Sequence, residues 1–272
     1  MEYEIKSKER LSIGINELWQ YRELFYFFTW RDIKIKYKQT LLGFAWVILQ
    51  PFAMMVIFSV FFGKALKVPS DNIPYPIFVY SGLLLWNIFS TSIGNAGNSM
   101  VNNANIIKKI YFPRLIIPIS SVLASLVDFV AAFIIFIGML FYYKTNIDFL
   151  TFIPLLMVSI TITSISSFGL GSLLAALNIK YRDFRYIIPF FIQAMLFLTP
   201  VIYPVSILNN TWVKYLLALN PMYSAIELFR HTIIFKPLEY SLLLISISSA
   251  VLFFIIGLYY FRKTESYFAD LA

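Results

Sequence analysis

LIIPISSVLASLVDFVAAFIIFIGMLFYY, residues 115–143, contains a single charged residue, Asp128, in a run long enough to cross a lipid bilayer. An α-helix rises about 1.5 Å per residue, so about 20 apolar residues cross roughly 30 Å of hydrocarbon. Four other stretches, 42–62, 75–96, 149–177 and 237–261, are nearly free of charge, and 186–203 is a sixth, shorter one. A barrel would give alternating ten-residue signals. These runs are continuous and predict an all-α integral membrane fold with six transmembrane helices.

Composition points the same way. Of 272 residues, 60% are hydrophobic and 13% charged, with a mean hydropathy of +0.76. A soluble domain has roughly a quarter charged residues, so this chain lacks the polar groups to cover a water-facing surface. Residues 1–38 carry charge throughout and have no early apolar core, so no cleavable leader is expected. Cysteine is absent, which excludes disulfides and thiolate metal sites.

The net charge of +8 does not point to nucleic acid, because the charges flank apolar spans. With the N-terminus cytoplasmic and six alternating spans, sixteen of the 22 Lys and Arg fall on the cytoplasmic side, among them Lys6, Lys8 and Arg10. Positive residues are enriched there, so a multi-pass protein of the cytoplasmic membrane with both termini cytoplasmic is expected.

Residues 17–38 mix aromatic and basic side chains, with Leu18, Tyr21, Phe25, Phe28 and Ile35 near helical spacing. This pattern predicts an N-terminal amphipathic helix at the membrane interface; packing against the bundle is the alternative. Pro51 lies within the first span and should kink it. The segment 94–114 begins rich in Asn, ends basic, and offers either a connector or a short surface helix on which a cytoplasmic partner can push. Asp128 is costly at mid-span unless paired, which makes it a candidate functional group. The structural alternative is a hydrogen bond to the Ser/Thr-rich stretch 159–167. Segment 205–236 holds two short helical patterns broken at Asn220-Pro221, read as re-entrant helices at the outer face.

Motifs for chemistry are missing: there is no GxxxxGK[ST] phosphate loop, no GxGxxG and no HExxH. The lone His231 is a poor catalyst, the acids are scattered, and no catalytic residue and no metal site are expected. Aromatics make up 19% of the chain. Interfacial belts account for many, and aromatic faces can also line a route for sugars.

WRDIKIKYKQTLLGFAWVILQP (30–51), NIIKKIYFPRLIIPIS (105–120), NIKYRDFRYIIPFFIQAMLFLTPVIYP (178–204) and NPMYSAIELFRHTIIF (220–235) together resemble the permease subunits of type-2 ABC exporters for cell-surface polysaccharides, the Wzm-like family that includes capsule and teichoic-acid exporters. The resemblance implies one transmembrane domain over 1–272, an interfacial helix at 17–38, a coupling helix at 97–112 and outer gate helices at 205–235. It implies a homodimer with two copies of a separate ABC ATPase, which binds ATP and magnesium, and a lipid-linked polysaccharide of O-antigen type as cargo. Its implied coupling residues are Asn103, Asn105, Lys108 and Lys109, and its pathway or gate residues are Tyr203, Trp212, Tyr223, Phe229 and Arg230. Phe229-Arg230-His231 and Phe235-Lys236-Pro237 depart from the pattern of an aromatic after the Arg and a Gly near the end. The basic, aromatic region before the first span further suggests that Arg31, Lys34, Lys38 and Arg182 meet the lipid pyrophosphate. Competing readings are an exporter of a small hydrophobic compound and an ion-coupled carrier or channel using Asp128.

Overall fold

The computed structural model describes residues 15–38, 43–265 and 268, and Lys6, Lys8 and Arg10 lie outside them. Among the described residues every regular element is helical. After α1 (Ile15–Gln20) and α2 (Arg22–Tyr37), α3 (Ala45–Phe58) runs directly into a π-helical segment, Ser59–Ala65. α4 (Tyr75–Asn102), the short α5 (Ala104–Lys109), α6 (Ile116–Tyr142), α7 (Phe149–Lys180) and α8 (Phe184–Leu198) follow. α9 (Thr211–Ala218), α10 (Met222–Ile234) and α11 (Tyr240–Glu265) complete the chain.

Among the described residues five helices are long and apolar enough to cross a membrane: α3 with its π-helical extension, α4, α6, α7 and α11. The sixth expected span, 186–203, contains α8, which at about 1.5 Å per residue is roughly 22 Å long, shorter than the hydrocarbon layer. Thr199-Pro200 ends it, because a residue before proline is pushed out of the helical region, and Thr199 has φ −98° and ψ 137°.

α4 is the most enclosed of the five and packs on α6 and α7, while α7 packs on α11. Small residues set these distances. A methyl group on Gly257 would fall 1.9 Å from the Gly169 carbonyl oxygen, so α7 and α11 cross with backbones in contact. At the perimeter, α3 buries only Pro51, Met55 and Phe58, and α8 only Ile188.

Apolar burial divides into two clusters. The larger fills the middle and one end with Phe78, Phe129, Phe136, Phe152 and Phe229 among others. The smaller joins Phe28 of α2 to Phe112, Ile116, Ala175, Phe261 and Phe268 at the end that carries α5. This second end, hereafter the basic end, is tied by Arg114, which donates to the Glu265 carbonyl and lies 5.9 Å from the centroid of the Phe268 ring.

Two local expectations meet different geometry. Segment 97–112 is divided: 97–102 continue α4 and 104–109 form α5, because Asn103 leaves the helical region (φ −106°, ψ 14°) and its side chain bonds the Ser99 carbonyl at 2.7 Å. Along α1 and α2, Phe28 is buried, and Leu18, Tyr21 and Phe25 are partly buried against the basic-end cluster, but Ile35 is exposed. The opposite side bears exposed Trp19, Tyr26 and Trp30, the last two stacked at 6.5 Å.

Candidate functional site

A polar cavity of about 590 Å³ opens at the basic end between α2, the α4–α5 junction and α6. α2 supplies Arg31, Asp32 and Lys36; the junction supplies Asn95, Ser99, Asn102, Asn103 and Asn105; α6 supplies Ser121, Ser125 and Asp128. Residues read separately from the sequence as substrate-facing (Arg31), coupling (Asn103, Asn105) and intramembrane polar (Asp128) therefore border one space. α2 reaches it because Phe28 packs on Phe112 at 5.5 Å, aligning α2 along the start of α6.

Its charges are balanced internally. Arg31 bonds Asp32 at 2.7 Å and lies over the Phe28 ring at 4.7 Å. Asp128 is engaged through both oxygens, one by the Lys36 ammonium and the other by the Tyr37 hydroxyl. Burial first, and the hydrogen bond to Asp128 second, push the Tyr37 phenol well above its ordinary range, so it stays protonated and donates. What remains for a ligand is a set of amides and hydroxyls, groups that serve equally as donors and acceptors, set among the apolar side chains of Ile33, Ile35, Ile106 and Ala124.

The expected Ser/Thr partner for Asp128 does not form. In 159–167 the hydroxyls other than that of Ser164 turn back on their own helix: Ser159 bonds the Leu155 carbonyl at 2.8 Å, Thr163 that of Ser159 at 2.8 Å, and Ser167 that of Thr163 at 2.6 Å. Such bonds to the preceding turn satisfy the donor locally. Sequence reasoning missed Lys36 and Tyr37. The available signal was a basic-aromatic pair at the end of α2, just before the first span.

The remaining basic candidates lie elsewhere. Lys34 and Lys38 on α2 and Arg182 in the turn between α7 and α8 are exposed and do not border the cavity. Asn105, Lys108 and Lys109 are exposed on the α5 segment beside exposed Ile110 and Tyr111, whereas Asn103 is buried.

At the opposite end, Arg230 is 2% exposed. Its guanidinium donates to the carbonyls of Pro200 (2.5 Å), Val201 (2.7 Å) and Phe78 (3.0 Å) and to the Ser81 hydroxyl (3.4 Å), and lies 3.6 Å from the centroid of the Phe78 ring. Gly82 leaves the room: a methyl there would come 2.8 Å from an Arg230 nitrogen. Pro200 breaks the helical ladder, so carbonyls near it are available to a side chain. Phe229 is buried against Phe136 and Phe152, and Tyr223 is buried as well. Tyr203 is half-buried and donates to the Phe197 carbonyl at 3.2 Å, while Trp212 on α9 is 83% exposed. His231 Nδ1 lies 2.6 Å from the Lys236 carbonyl, bracing the left-handed turn at Phe235 (φ 54°) that ends α10. Ion pairs Lys236–Asp71 (2.8 Å) and Lys214–Glu239 (2.9 Å) close the surface above.

A family model described as ABC-2 type transporter matches residues 23–234. The O-antigen export system permease protein RfbA of Myxococcus xanthus is 32% identical over 77% of this chain and 80% of its own length. A Klebsiella pneumoniae protein of the same description is 28% identical over 89% and 92%. The polysialic acid transport protein KpsM of Escherichia coli is 24% identical over 75% and 78%.

Proposed function

The chain belongs to the ABC-2 type transporter family, and from that premise we propose that it is the membrane-spanning permease subunit of an ATP-driven exporter that carries lipid-linked polysaccharide of O-antigen type to the outer side of the cytoplasmic membrane. What supports this reading most is that relatives described as O-antigen export permeases align over most of both chains. The relative described as a polysialic acid transporter is less similar, which favours an O-antigen-like cargo over a capsule or teichoic-acid polymer.

In this reading the basic end is cytoplasmic, and both termini lie there. α8 and the extended residues after it form the sixth span, and α9 with α10 make the outer gate. The exposed aromatics Trp19, Tyr26 and Trp30 suit α2 to a position at the headgroup level. Two copies of the chain enclose the route, and two copies of an ATPase, which hold ATP and magnesium, dock from below on α5. Uphill export needs energy that differs between two conformations of the permease, and a docked ATPase supplies it. The anionic end of the lipid carrier meets Lys34, Lys38 and Arg182, exposed cations on the cytoplasmic side; Arg31 is engaged by Asp32 and Phe28. An ion-coupled carrier is disfavoured, because both oxygens of Asp128 already have partners.

The test is co-purification and export in one preparation. With wild-type chain, an ABC ATPase co-purifies and proteoliposomes move polymer only with ATP. Lys108→Glu with Lys109→Glu, at normal protein level, reduces the recovered ATPase about tenfold or more, the effect of a few kcal/mol of like-charge or lost complementary contact. Full recovery removes α5 from the docking site; polymer transport without any ATPase removes the exporter assignment.

A further inference from the structure

We propose that the contact of Lys36 and Tyr37 with Asp128 is a gate, closing the basic-end cavity against a second, deeper polar cleft between α3, α4 and α6. The two spaces are about 590 Å³ and 70 Å³, and Lys36, Ser125 and Asp128 border both. Asp128 stands twelve residues into α6, about 18 Å from its start at the helical rise. The closure therefore lies about three turns along α6 from its basic-end start.

The deeper cleft carries polar side chains among apolar ones, Leu84, Ile88 and Phe129 included. Gln50 and Val47 of α3 border it together with Asn87 and Thr91 of α4. Gln50 is exposed on α3, whose other exposed residues are apolar or aromatic, and an amide in hydrocarbon is costly unless it meets water or a polar partner. Pro51 adds to this, because it has no N–H for the Val47 carbonyl. Water in the cleft satisfies both.

The closing contact is built to open. Lys36 and Tyr37 sit at the last turn of α2, a peripheral helix that packs mainly on α6. The Lys36 side chain is 44% exposed and borders the open basic-end cavity, so its ammonium can turn into that cavity, while the Asp128 side chain is 16% exposed. Once α2 withdraws, the carboxylate borders a continuous polar passage from Asn102, Asn103 and Asn105 at the α5 junction to Pro51 inside the membrane. Water and hydrophilic solutes can then advance to the level of Gln50. Movement of α5 acts on the same cavity wall, which links its docking surface to the gate.

The chain has no cysteine, so a single introduced thiol reports access directly. Full-length protein carrying Asn87→Cys is reacted in vesicles with a hydrophilic maleimide reaching the basic end, in the otherwise native sequence and with Asp128→Asn, Lys36→Gln or Asp128→Glu added. Asn95→Cys, in the outer cavity, serves as the reference. Asp128→Asn and Lys36→Gln each raise labelling at 87 about two- to fivefold, the shift produced by losing a coupling of this kind. Asp128→Glu, which keeps the charge, restores slow labelling, and residue 95 reacts at one rate throughout. Equal labelling at 87 with and without the pair overturns the gate. So does a parallel rise at 87 and 95, which marks general loosening. The measurement uses neither polymer nor ATP and stands apart from the export assignment.

Discussion

Arg230 and Asp128 are both ionisable groups inside an apolar bundle, yet they are held in different ways. Arg230 ends on three main-chain carbonyls and a hydroxyl contributed by the segments it packs between, and it is almost wholly buried. Asp128 ends on two side chains of a peripheral helix, one of them half in solvent. Carbonyls of packed helices cannot leave without unfolding their surroundings, whereas an ammonium on a long flexible stem can. The difference separates a charge used to fix the fold from one available to report or permit movement.

The largest expected effect comes from Arg230. Replacing it with Leu leaves the Pro200, Val201 and Phe78 carbonyls unmet in a dry interior and costs about 3–5 kcal/mol, the usual loss when one partner of a buried charged network is removed. Thermal unfolding in detergent measures it; a melting temperature within a degree or two of wild type would erase the contrast. Asp128→Asn comes next. Because Lys36 can turn to water, the loss is about 1 kcal/mol or less, seen as a small shift of the same transition. A loss as large as that of Arg230 would make the two ends equivalent. Trp212→Ala is the smallest: its side chain is 83% exposed on α9, and stability should change by no more than about 0.5 kcal/mol. A larger loss would show that a second copy or another partner covers α9.

The apolar runs were legible because hydrophobic continuity is a local property, readable over about 20 residues. A helix break was legible where asparagine and proline set it, at Asn220-Pro221, while Thr199-Pro200 ended α8 inside the run read as a span over 186–203. The partners of Asp128 were not, because Lys36 and Tyr37 are 92 and 91 residues away in the chain and nothing in periodicity links them. Arg230 was singled out as a pathway residue, but its acceptors are carbonyls, which carry no side-chain signature. Gly82, whose missing methyl admits the guanidinium, gave no signal of its own. The amphipathic reading of α2 identified side chains that pack on the bundle, while the exposed stripe of Trp19, Tyr26 and Trp30 lay on the other side.

The touching backbones at Gly169 and Gly257 have a mechanical consequence. Two helices that close cannot slide or roll past one another without a collision, so α7 and α11 behave as a single mast. A transport stroke must then be carried by the cladding, with α2, α3 and α8 swinging about a pillar that stays put.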